Sequence, residues 1–182
     1  TPDYYVQIDW ELVGEMVEAI GGVWFDIPYH MDYDDPDQDL HIHFDPGRQL
    51  LNGEDAMKVV RWRKNNKWSP YYGEGGGGDI TRLTVQHGFL KAVLKQTLQL
   101  GNLTKINQLI TLFNSRVKSD LEVAEMLWLG REALLGGLDV DDVEFCTMPY
   151  AMGSYRQFGT NFSFVYPKQK ELLALLNESF NP

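Results

Sequence analysis

The chain has one cysteine in 182 residues, Cys146, so no intrachain disulfide can form. Flanked by Phe145 and Thr147 in an apolar run, that thiol is expected to be a small buried apolar side chain rather than a nucleophile. One cysteine is compatible with the cytosol or with a cell surface that avoids disulfides. Basic residues are also scarce: 16 Lys and Arg stand against 26 Asp and Glu, a formal net charge of −10. A surplus of acid argues against general nucleic-acid binding, which needs a basic face to neutralise phosphates. No run is long and apolar enough to cross a bilayer, and no signal peptide is present. The nucleotide and hydrolase signatures are missing as well. There is no G-x-x-x-x-G-K-[ST], no G-x-G-x-x-G after a strand, no G-x-S-x-G, no H-E-x-x-H and no helix-turn-helix. What remains fits a globular protein, with 43% hydrophobic residues and length enough for a sizeable core.

Against that acidic background one stretch concentrates arginine. Residues 61–64 read R-W-R-K, and a glycine-rich loop leads to G-G-G-G-D-I-T-R-L-T-V-Q. Arg61, Arg63 and Lys64 stand on one side of the loop. Arg82 and Gln86 stand on the other, one helical turn apart and so on one helix face. Glycines running into a helix start expose unpaired N–H groups and the positive end of the helix dipole, and a guanidinium fork matches phosphate oxygens. The expected site is for phosphate or pyrophosphate. The competing explanation for Arg61 and Arg63 is complementation of a helix C-terminus. It accounts for one arginine, but not for Arg82 on the opposite arm.

In chain order, Tyr4–Ile8 alternates like a strand. Asp9 caps a helix through Leu12, Val13, Met16, Val17 and Ile20, ended by Gly21-Gly22, and Val23–Ile27 is a second strand. Asp32, Asp34, Asp35, Asp37 and Asp39 crowd the next segment. Their spacing is not that of an EF-hand and its glycine is missing, so a solvated acidic loop is expected. Leu40–Phe44 alternates again, putting His41 and His43 on one face. Two such histidines can ligate a metal, but no third ligand is evident in the sequence, and solvent-facing strand residues are expected.

After the turn Asp45-Pro46-Gly47, Asn52 caps a helix that delivers Arg61 and Arg63. The loop 65–78 holds Trp68, Tyr71, Tyr72 and five glycines. Its aromatics suit sugar or lipid contact, or equally the anchoring of a long loop. The helix after Asp79 carries Leu83, Leu90, Val93, Leu94 and Leu98 as its expected apolar stripe, with Arg82, Gln86 and Phe89 on another face. Further helices are expected after Asn102, after Asp120 and from Pro167, with strands at 143–148 and 162–166. The fold class is α/β, one domain spanning 1–182: a mixed β-sheet between helices in three αβα layers.

Two spaced blocks carry a resemblance. The first is M-D-Y-D-D-P-D-Q-D-L-H-I-H-F-D-P-G-R-Q-L-L-N-G-E-D-A-M-K-V-V-R-W-R-K, and the second G-D-I-T-R-L-T-V-Q-H-G-F-L-K-A-V-L. Together they resemble the LytR-CpsA-Psr (LCP) family, first described as cell-envelope-related transcriptional attenuators of mainly Gram-positive bacteria. The likeness covers most of the chain and weakens past Gly137.

The resemblance implies a phosphotransferase, or ligase, at the extracellular face of the cell membrane. It would move a glycopolymer such as teichoic acid or capsule from a polyprenyl-(pyro)phosphate carrier onto peptidoglycan. By motif, Arg61, Arg63, Arg82 and Gln86 are the residues that would bind the pyrophosphate. Asp79 would support them, by orienting Arg82 or by approaching the Mg²⁺ that the family implies; both roles stay open. The family's aspartate-bearing N-terminal segments and its transmembrane helix have no match in this sequence. The chain is therefore expected to be the C-terminal portion of an LCP domain, inactive alone, with catalytic and Mg²⁺-binding groups upstream of Thr1. The alternative is a non-catalytic module binding lipid-linked or anionic glycans at the wall. Direct DNA contact, which an attenuator role would suggest, is disfavoured by the acidic charge.

Overall fold

A computed structural model describes residues 4–97, 105–122, 124–125, 128–129, 131–132, 140–142 and 146–180. The chain divides into two compact units, Thr1–Val143 and Glu144–Pro182. The α/β class is as the sequence predicts. Among the described residues the mixed sheet of the expected layers is represented by four two-stranded antiparallel pairs.

The first unit opens with β1 (Val6–Gln7), shorter than the alternation suggests, and α1 (Trp10–Ile20). The ends of α1 follow local chemistry. The Asp9 carboxylate accepts from the Leu12 N–H at 2.7 Å, and Gly21 closes the helix at φ 87°, where a side chain would be strained. β2 (Val23–Ile27) pairs with β5 (Gly47–Leu51), and β3 (Met31–Asp35) with β4 (Leu40–Phe44). The acidic stretch is thus not a loop. Asp32, Asp34 and Asp35 lie on β3, and Asp37 in a short 3₁₀ turn, Pro36–Gln38. β5 escapes the sequence because Arg48-Gln49-Leu50-Leu51 does not alternate; its pairing partner imposes the strand.

α2 (Gly53–Arg61) begins as expected, with the Asn52 side chain accepting from the Asp55 N–H at 2.8 Å. It crosses α1 through two glycines. A Cβ on Gly53 would stand 2.4 Å from the Gly14 carbonyl oxygen and 2.7 Å from Glu18 Cγ. Gly53→Ala is therefore expected to destabilise the fold by about 2 kcal/mol, overpacking outweighing the gain in helix propensity. Urea unfolding with an unchanged slope would check this.

α3 (Asp79–Thr97) is the longest helix among the described residues, and its buried side differs from the expected stripe. Val85, Phe89 and Val93 are buried, whereas Leu94 is exposed and Leu98 lies outside the described residues. Apolar residues surround this helix, so periodicity alone does not pick the inner face. Phe89 decides it by meeting Phe25 edge-on at 5.4 Å. The core gathers Val17, Val23, Ile27, Met31, Ile42, Leu51, Val59 and Trp62 around this contact.

α4 (Ile106–Arg116) and β6 (Lys118–Ser119) follow, β6 pairing with β1. Asp120, expected as a helix cap, accepts from the Tyr5 N–H at 2.8 Å. Of the helix expected after it, 124–125, 128–129 and 131–132 are helical; Val123, Leu127, Leu134 and Leu135 lie outside the described residues, as does Asn102.

In the second unit β7 (Tyr150–Gln157) and β8 (Thr160–Pro167) form a hairpin, and α5 (Gln169–Phe180) follows. β7 is absent from the sequence reading, and Pro167 ends a strand rather than opening the helix. The strand expected over 143–148 is not seen at 146–148, and 143–145 lie outside the described residues. Cys146 is exposed, against the expectation of burial.

Candidate functional site

α2 ends at Arg61, and Trp62 leaves the helix in an extended conformation at ψ 136°. Trp62 is fully buried, while Arg61, Arg63 and Lys64 on either side are exposed. A buried indole between two arginines fixes where both guanidiniums start. Arg63 therefore follows the helix end rather than sitting on it. Trp62 stacks on Tyr29 with ring centres 6.1 Å apart, and its Nε1–H donates to Asn65 Oδ1 at 2.9 Å.

Asn65 is the hub that sequence reading passed over as loop polarity. It is 2% exposed, and all four bonding positions of its carboxamide are filled. Oδ1 accepts from Trp62 Nε1 and, at 2.8 Å, from the Asp32 N–H. Nδ2 donates to the His30 and Tyr71 carbonyls, both at 2.9 Å. Asn66 continues the pattern: its N–H donates to the Asp32 carbonyl at 3.1 Å, and its amide pairs with the Asp34 N–H and carbonyl. The two asparagines line the edge of β3 that β4 leaves open, satisfying groups a neighbouring strand would otherwise take.

The loop returns to α3 by a backbone bond from Gly78 N–H to the Arg63 carbonyl at 3.0 Å. At the start of α3 the Asp79 carboxylate joins both arms, accepting from Arg63 Nη2 at 3.2 Å and Arg82 Nη2 at 2.7 Å. Asp79 thus pairs with Arg82 and with Arg63 as well. These pairs are half-exposed, so each contributes no more than about 1 kcal/mol. Both guanidiniums are pre-aimed without being locked. Arg61 Nη2 donates to Gln38 Oε1 at 3.1 Å, and Gln86 Nε2 to the Val60 carbonyl at 2.9 Å, tying α3 to the end of α2.

All four residues singled out as a head-group set, Arg61, Arg63, Arg82 and Gln86, line one open cleft of about 620 Å³. Tyr33, Gln38, Leu40, Val60 and Lys64 complete its wall. Four cationic side chains and no carboxylate line it, a setting for a multiply charged anion. Mg²⁺ does not fit this lining. The nearby carboxylate, Asp79, is engaged by two guanidiniums, and a hard dication needs oxygen donors.

The loop aromatics divide. Tyr71 is an anchor, its ring flat on His30 at 3.8 Å, while His30 Nδ1 lies 3.0 Å from Glu74. Trp68 and Tyr72 are exposed. Tyr72 helps line a smaller recess of about 230 Å³, shared with Lys64, Asn66 and Lys67, next to the cleft.

On the other face of the β3–β4 hairpin, His41 and His43 face solvent as expected, and the register sets Asp34 opposite His41 and Asp32 opposite His43. The third partner missing from the sequence is Asp34. Its carboxylate holds the His41 pKa above the usual histidine value, chiefly through their hydrogen bond, and is itself held below the usual range by it.

The LytR_cpsA_psr family model matches residues 1–180. The chain is similar to TagV of Bacillus subtilis (strain 168), named a polyisoprenyl-teichoic acid–peptidoglycan teichoic acid transferase. The two are 28% identical over 128 residues, 70% of this chain and 30% of TagV. The crystal structure of B. subtilis TagV superposes with a TM-score of 0.67 at 22% identity, over 97% of this chain and 63% of that one. A LytR-Csp2A-Psr enzyme from Actinomyces oris superposes with a TM-score of 0.68 at 20% identity, over 99% and 65%. The chain thus spans about a third of the curated relative's length and under two thirds of either crystallised chain.

Proposed function

Since the chain belongs to the LytR-CpsA-Psr family, we propose that its cleft grips the pyrophosphate of a polyprenyl-linked glycopolymer, and that the whole protein transfers the polymer to peptidoglycan. One observation carries the reading. Arg61, Arg63, Lys64 and Arg82 come from two arms separated by the glycine-rich loop, yet line a single cleft free of carboxylates.

In this reading Arg63 and Arg82 trade their weak pairing with Asp79 for phosphate oxygens. Arginine gives two parallel charge-assisted bonds there, stronger than a half-exposed ion pair. Arg61 and Lys64 add positive charge from the same arm as Arg63. Transfer then proceeds as a displacement at phosphorus. An acceptor hydroxyl of peptidoglycan attacks the glycan-bearing phosphate and releases its proton to solvent, the bond to the bridging oxygen breaks, and polyprenyl phosphate leaves. The guanidiniums lower the barrier by stabilising charge on the phosphate oxygens and the leaving group. Any Mg²⁺ in the reaction is supplied by groups other than this lining. Such a protein works at the extracellular face of the cell membrane, where carrier lipid and peptidoglycan meet. Among the described residues no helix is long and apolar enough to cross the membrane.

The test is transfer of a labelled glycan from its polyprenyl pyrophosphate carrier to peptidoglycan by the whole protein, with Arg63→Ala and Arg82→Ala beside it. Transfer should fall by roughly 100-fold or more in each, about the loss of one charge-stabilising donor. Lipid binding without transfer by the parent protein would instead favour a non-catalytic glycan-binding module.

A further inference from the structure

We propose that the outer face of the β3–β4 hairpin is a transition-metal site of the Zn²⁺ type, with Asp34, His41 and His43 as its protein ligands. It is distinct from the arginine-lined cleft. Tyr33 and Leu40 line that cleft, whereas Asp32, Asp34, His41 and His43 alternate with them along the two strands and so occupy the opposite face.

Three features carry the assignment. The donor atoms converge, since one potential ligand atom from each of Asp34, His41 and His43 lies within 4.8 Å of the other two. Asp34 Oδ1 is 2.5 Å from His41 Nδ1 and 3.2 Å from His43 Nε2. Tetrahedral Zn²⁺ with bonds of about 2.1 Å sets its donors about 3.4 Å apart. The His43 spacing is already close to that. Opening the His41 contact needs only a small rotation of two side chains that are not buried.

The second feature is the support behind a ligand. With Nε2 of His43 turned to Asp34, its Nδ1 is 2.9 Å from Asp32 Oδ1. A carboxylate accepting from the far nitrogen of a ligating imidazole fixes tautomer and ring orientation, and is the usual backing of a metal-bound histidine. Thirdly, the donor set selects the ion. Two imidazoles and one carboxylate suit Zn²⁺, Ni²⁺ or Cu²⁺, whereas Mg²⁺ and Ca²⁺ want oxygen alone. Asp39, whose carboxylate lies 3.5 Å from His41 Nε2, adds negative charge that favours a dication. With three protein ligands in an exposed setting, water completes the shell. The bound ion clamps β3 to β4.

The test is calorimetric titration of the tag-free, chelator-treated protein with Zn²⁺, with Mg²⁺ as the contrasting ion, followed by thermal melting and the visible spectrum with Co²⁺. Zn²⁺ should bind one per chain, raise the melting temperature and leave Mg²⁺ without effect; Co²⁺ should give a tetrahedral absorption band. His41→Ala and His43→Ala should each abolish binding. Asp32→Asn should weaken it by roughly tenfold, and His30→Gln should leave it unchanged. All these side chains lie at the surface or in partial exposure, so circular dichroism should show each variant folded. Absence of Zn²⁺ binding by the parent protein, or binding that survives in the double variant His41→Ala/His43→Ala, overturns the assignment.

Discussion

Asn65→Ala is expected to lower the stability of the protein by about 3–5 kcal/mol, although it removes only a carboxamide from what reads as a loop. The side chain fills two donor and two acceptor positions in a buried setting. Truncation leaves the Trp62 indole N–H, the Asp32 N–H and the His30 carbonyl without this partner, while the Tyr71 carbonyl keeps the Glu74 N–H at 3.0 Å. Each orphaned buried group costs about 1–3 kcal/mol, and relaxation or water recovers part of the sum. For a chain of this size the melting temperature should fall on the order of 10 °C. Asn65→Asp sharpens the point. It keeps acceptors for the two N–H groups but sets a carboxylate oxygen against two carbonyls. It should therefore be at least as damaging at neutral pH, despite identical shape. Thermal and urea unfolding check both variants. A loss under about 1 kcal/mol in each would mean that the loop is not tied to β3 through this residue.

Arginine substitutions in the cleft should show the opposite signature. Arg63→Ala and Arg82→Ala each remove a fork from a phosphate, worth about 1.5–3 kcal/mol per charge-assisted bond. Affinity for a polyprenyl pyrophosphate should drop roughly 10- to 100-fold. Stability should change by less than about 1 kcal/mol, because the partner lost is a half-exposed Asp79. Arg82→Lys should also bind poorly. Charge is kept, but a point ammonium cannot span two phosphate oxygens or hold the Asp79 geometry. Normal binding with a large loss of stability would make these arginines structural, as the helix-end explanation for Arg61 and Arg63 requires.

Local chemistry explains which parts of this molecule are readable from sequence. Asp9, Gly21 and Asn52 act on neighbours a few residues away, and their helix ends fall where expected. Arg61, Arg63, Arg82 and Gln86 share a cleft as their motif spacing implies. Pairing over distance is less readable. β5 and β7 exist because β2 and β8 receive them, and neither announces itself by alternation. The buried face of α3 depends on Phe25, 64 positions before Phe89, and not on the helix's own pattern. Asn65 reads as one of two loop asparagines; its bonds to His30 and Asp32 span 35 and 33 positions. His41 and His43 are visible as a pair, but Asp34 joins them only once the hairpin register is known.

The head-group reading of the cleft is tested most directly by calorimetric titration of the parent protein and of Arg63→Ala/Arg82→Ala with a short-chain polyprenyl pyrophosphate, using the corresponding alcohol as the uncharged control. The parent protein should bind the pyrophosphate and not the alcohol, and the double variant should lose that binding while melting at nearly the same temperature. Equal binding of alcohol and pyrophosphate, or undiminished binding by the double variant, would contradict a pyrophosphate clamp built from these two arms.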